Sequence, residues 1–68
     1  MRKRKPYTNS DMEQQIDEYC NSARNRTILK LIYIDDLPHE RIADIYDISP
    51  RIIDNIVRDF KDNAPIFR

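Results

Sequence analysis

The chain holds one cysteine, Cys20, and one histidine, His39. One of each cannot supply the three or four Cys and His ligands that hold a zinc ion. Nor is there a second thiol for an internal disulfide, which fits a reducing compartment and a packed Cys20. No nucleophile–base pair built on histidine or a reactive thiol is expected, and no metal or cofactor. His39 reads as a surface residue at a helix start. The plentiful chemistry is charge, with 12 basic and 12 acidic side chains balancing to zero. The basic ones come in groups. Arg2, Lys3, Arg4 and Lys5 form a run, and Arg24, Arg26 and Lys30 lie close together. Such groups meet phosphates. Against this, residues 39–60 carry Arg41, Arg51 and Arg58 but also Glu40, Asp44, Asp47, Asp54 and Asp59, a local excess of acid. Zero net charge weighs against a polyanionic partner, so placement matters more than the sum.

Placement depends on the elements. With 68 residues, 40% hydrophobic and no glycine, the chain allows one small core and reads as all-helical. Its turns must be made by Asp, Asn, Ser and Pro. Residues 1–9 are expected to form a flexible basic arm. No apolar run follows it, so neither a signal peptide nor a membrane span is expected, and a cytoplasmic location is. A first helix is expected from Ser10, where Ser10 and Glu13 have capping-box spacing. Met12, Ile16, Tyr19, Cys20 and Ala23 make its apolar stripe. A second helix spans roughly Ala23 to Ile34, buried through Thr27, Ile28, Leu31, Ile32 and Ile34. Leu29 and Tyr33 add to these, so this helix is apolar over much of its circumference and should lie centrally. Asp35, Asp36 and Pro38 end it. A third helix follows Pro38 to about Tyr46, with Ile42, Ala43, Ile45 and Tyr46 apolar. After a short turn, Ser49-Pro50 signals a fourth helix, Pro50 to about Lys61, with Ile53, Ile56, Val57 and Phe60 inward. The helical domain is thus expected over 10–62, with residues 63–68 as a tail.

The run HERIADIYDISPRIIDNIVR, residues 39–58, resembles the helix-turn-helix of bacterial and phage regulators. With His39 first, the fifth position is Ala43, where the helices cross and a small side chain is needed. The positions that fix the angle between the helices are Ile42, Tyr46, Ile48, Ile53 and Ile56, all apolar. The ninth position departs from the pattern. The motif has Gly there because the backbone turns through positive φ; this chain has Asp47, one of the residues that best tolerates that conformation. Upstream, ARNRTILKLIYIDDLPHERIADIYDISPRIIDNIV is similar to the promoter-binding C-terminal domain of sigma factors and to small phage and mobile-element regulators. The likeness covers about half the chain.

The resemblance implies an all-α bundle of about four helices around a trihelical core. It implies a sequence-specific, double-stranded DNA-binding transcriptional regulator whose fourth helix enters the major groove. The residues then facing DNA are Ser49, Pro50, Arg51, Asp54, Asn55 and Arg58. Arg51 would pair with a guanine edge and Asn55 with an adenine edge. Ser49 and the helix N-terminus would bind a phosphate, and Arg58 would meet backbone. Asp54 would accept from a cytosine amino group, position Arg51 or Arg58, or simply be a solvated or salt-bridged residue. Lys30, Arg24 and Arg26 would contact flanking phosphates, and Arg2, Lys3, Arg4 and Lys5 would enter a minor groove or follow the backbone. A single motif buries little DNA surface, so a homodimer or recruitment to a larger complex is expected. The first helix and Ile66-Phe67 are the candidate contacts. The acid excess keeps a second reading open: a small adaptor or inhibitor that binds RNA polymerase or another regulator. An enzyme is not expected in a chain with no catalytic constellation and no room for a pocket.

Overall fold

The computed structural model describes residues 7–67; Arg2, Lys3, Arg4 and Lys5 lie outside the described residues. Four helices follow one another: α1 (Asn9–Tyr19), α2 (Ala23–Tyr33), α3 (His39–Tyr46) and α4 (Pro50–Asn63). A 3-10 turn, Pro65–Phe67, closes the chain. The fold is an all-α bundle. The most extensive packing is α1 on α2 and α3 on α4. Among the described residues no helix is long and apolar enough to cross a membrane.

α1 begins earlier than the Ser10–Glu13 spacing suggests. Thr8 is the N-cap: its hydroxyl accepts from Asp11 N at 3.1 Å, and Asp11 Oδ2 accepts from Thr8 N at 3.3 Å. This box places Tyr7 one residue before the cap and Met12 at the fourth helical position, the two places of a hydrophobic staple. Met12 is fully buried and Tyr7 packs against the core. The expected stripe narrows to Met12, Ile16 and a half-buried Cys20. Tyr19 is 40% exposed, and Ala23 opens α2 instead.

Ser22 caps α2 by accepting from Asn25 N at 3.4 Å. Ile28 and Leu29 are its fully buried residues. Thr27, expected inside, is exposed, and its hydroxyl donates to the Ala23 carbonyl at 3.2 Å. Leu31, Ile32, Tyr33 and Ile34 are half-buried. α2 touches α1, α3 and α4, as its apolar circumference requires. Tyr33 tilts against Phe60 of α4, ring centroids 5.9 Å apart. Burial, aided by Tyr7, pushes its phenol up to about 12.

α3 starts directly after Pro38, and α4 directly after Ser49 with Pro50 in its first turn. Met12, Ile16, Ile28, Leu29, Ile42, Ala43, Ile53, Ile56 and Phe60 fill the centre, so every helix contributes. Ile45, expected among the apolar contacts of α3, is 60% exposed. The last residues are less of a tail than expected. Asn63 belongs to α4, Ala64 is fully buried and Ile66 packs against the core.

Candidate nucleic-acid interface

The joint between α3 and α4 sets the direction in which α4 faces. Asp47 has φ 54° and ψ 47°, the left-handed conformation the motif position demands. Its N–H reaches the Asp44 carbonyl at 3.3 Å, and the Ile48 N–H reaches the Ala43 carbonyl at 3.0 Å. Those two bonds close a Schellman motif, satisfying the last carbonyls of α3. Ala43 is almost fully buried where the helices meet. Ser49 then caps α4 by accepting from Arg51 N at 3.2 Å, so its acceptor function is already engaged within the chain.

On α4, Ile53, Ile56 and Phe60 point inward. At 3.6 residues per turn the opposite side carries Arg51, Asn55 and Arg58, with Asp54 beside them. All four are exposed. Among the described residues neither guanidinium, nor the Asn55 amide, makes a hydrogen bond or ion pair. Asp54 does. Its Oδ1 lies 2.7 Å from His39 Nδ1 at the first position of α3. A salt-bridged Asp54 is among the sequence expectations, but His39, expected as a plain surface residue, is not expected as its partner. Fifteen residues separate the pair, beyond any local spacing pattern. Arg41 on α3 is a further exposed cation with no partner among the described residues.

The middle basic group is spent differently. Arg26 Nε donates to the Cys20 carbonyl at 2.6 Å and its Nη2 to the Asn21 carbonyl at 3.5 Å. Arg24 donates to Asn25 Oδ1 at 3.3 Å. Lys30 pairs with Asp17 of α1 at 3.2 Å. Arg26 and Lys30 tie α2 to the corner and to α1, and Arg24 is engaged within α2 itself, so none of the three joins the outward row of α4.

Two open clefts correct the expectation of no room for a pocket. One, about 260 Å³, is walled by Cys20, Asn25, Ile56 and Phe60. The other, about 350 Å³, is walled by Tyr7, Gln15, Pro65 and Ile66. Gln15 Oε1 is buried with no hydrogen-bond partner among the described residues. No group of three or more metal-ligating side chains gathers among the described residues. No protein-family model, curated protein or solved structure matches the chain.

Proposed function

We propose that the protein is a sequence-specific, double-stranded DNA-binding transcriptional regulator of bacterial or phage type, acting in the cytoplasm, and not an enzyme. The observation that carries this reading is the outward row of α4. Arg51, Asn55 and Arg58 stand exposed, with no side-chain partner among the described residues, on a helix whose start is fixed by a Schellman turn and a serine cap. A helix of 14 residues held this way suits a major groove. Arg51 reads guanine, Asn55 reads adenine, and Arg58 meets phosphate. Ser49 and Pro50 bring the start of α4 to the backbone. Lys30 contacts phosphate only by giving up Asp17. One copy of α4 covers little DNA, so two copies or a larger assembly act together.

Selection of bound duplexes from a random-sequence pool tests this. Wild type is expected to enrich a motif, and Arg51→Ala and Asn55→Ala each to lose preference at one position. A pool left unenriched by wild type counts against the reading.

One observation favours a second reading, a protein-interaction module for RNA polymerase or another regulator. Ile45 is 60% and Ile52 39% exposed, and Asp44 and Asp59 are exposed carboxylates with no partner among the described residues. In that case Ile45→Ser or Ile52→Ser abolishes binding of the partner and Arg51→Ala leaves it intact.

A further inference from the structure

Asp54 is the misplaced charge on the row that the DNA reading requires. It lies three residues after Arg51 and four before Arg58, the spacings at which helical side chains meet. A free carboxylate there would draw one guanidinium or the other into an ion pair and would repel phosphate. Neither pairing is present among the described residues; Oδ1 instead lies 2.7 Å from His39 Nδ1 of the neighbouring helix. Both partners remain solvent-accessible, at 38% and 61% of their side chains.

Resting on the DNA reading for its consequence, we infer that His39 is a positioning residue. It clasps the Asp54 carboxylate away from Arg51 and Arg58 and so keeps both guanidiniums available to an anion. The clasp works in either protonation state. Neutral imidazole donates through Nδ1, while imidazolium also cancels the carboxylate charge. The other charged groups around this contact are Glu40, Arg41 and Asp44 on α3 and Asp35 and Asp36 in the loop before it. From α4, Arg51 and Arg58 flank Asp54 at three and four residues.

The test uses the full chain and four forms of it: wild type, His39→Ala, His39→Asn and His39→Ala/Asp54→Asn. Without DNA, the Nε–Hε resonances of Arg51 and Arg58 are followed by NMR. His39→Ala is expected to shift at least one of them as Asp54 swings over, and the double variant to return it. His39→Asn, whose amide can take the place of Nδ1–H, is expected to leave it near wild type. With a mixed-sequence DNA duplex as the probe, His39→Ala should bind about two- to fivefold more weakly, the strength of an exposed ion pair, and the double variant should recover. Arginine resonances unmoved by His39→Ala would overturn the clasp whether or not DNA binds. Duplex binding that is absent in wild type while the resonances behave as expected overturns the DNA reading and leaves the clasp standing.

Discussion

Arg26 and Arg51 both lie within four residues of a serine N-cap, Ser22 for one and Ser49 for the other, yet they are used in opposite ways. Arg26 folds back on the Cys20 and Asn21 carbonyls. Arg51 reaches nothing among the described residues. The difference lies in how the preceding helix ends. α1 runs out into extended backbone at Cys20, φ −131°, which leaves carbonyls at the corner for a guanidinium to satisfy. α3 ends in the left-handed turn at Asp47, whose own N–H and that of Ile48 satisfy the terminal carbonyls. The first corner consumes its cation, while the second releases one. A basic residue on a helix therefore says little about a partner until the acceptors around it have been counted.

Exchanging the two arginines for alanine should separate the regions most sharply. Arg51→Ala is expected to weaken binding to a selected duplex by about 1–3 kcal/mol and to relax one base preference. Its urea midpoint should move by less than about 0.5 kcal/mol equivalent. For Arg26→Ala the pattern inverts. Two hydrogen bonds to a charged donor are lost at a partly buried corner, so stability should fall by about 1–2 kcal/mol while the intrinsic DNA affinity of the folded protein stays put. Equal effects of both variants on affinity would break the distinction.

The turn itself can be perturbed. A β-branched residue resists positive φ, so Asp47→Val should cost about 1–2 kcal/mol of stability and misdirect α4, weakening DNA binding as well. Asp47→Gly should be neutral or stabilising by up to about 1 kcal/mol, because Gly adopts that backbone freely. A destabilising glycine would mean that the aspartate side chain has a role of its own there. At the α1–α2 corner, Lys30→Ala removes only an exposed pair with Asp17, and denaturation should register less than about 1 kcal/mol.

The smallest effect at neutral pH concerns the contact that joins the two regions. Tyr33 of α2, against Phe60 of α4, has its phenol raised to about 12. Its unfolded value is about 10, so above that pH the unfolded chain loses its proton first. The folded state then holds more protons, and stability falls as pH rises from about 10 towards 12. Tyr33→Phe should flatten that limb of the pH–stability curve. Identical curves for the two proteins would place the alkaline transition elsewhere.

The fold was legible where local chemistry decides it. Pro38 and Ser49-Pro50 mark the starts of α3 and α4, and Asp47 occupies the conformation its motif position called for. The start of α1 was harder, since Thr8–Asp11 and Ser10–Glu13 have the same spacing. The packing of Tyr7 and Met12, not the spacing, separates them. Individual depths in α2 were also hidden, because a helix apolar on most sides does not announce which side meets which neighbour. Of the site, the row Arg51, Asn55 and Arg58 came from the motif positions that the resemblance implies, and the structure leaves all three exposed. The fate of the remaining charges could not. His39–Asp54, Lys30–Asp17 and Arg26 on its carbonyls are contacts between elements, and they depend on crossing angles that no single stretch of sequence contains.

The most direct measurement is the dissociation constant for duplex DNA over a salt series, comparing wild type with Arg51→Ala/Arg58→Ala. Wild type should bind at about 50 mM salt and weaken steadily as salt rises, and the variant should bind more weakly with a slope reduced by about one to two. Parallel slopes and equal affinities, or no binding by wild type at about 50 mM, would contradict the assignment of α4 as the surface that meets DNA.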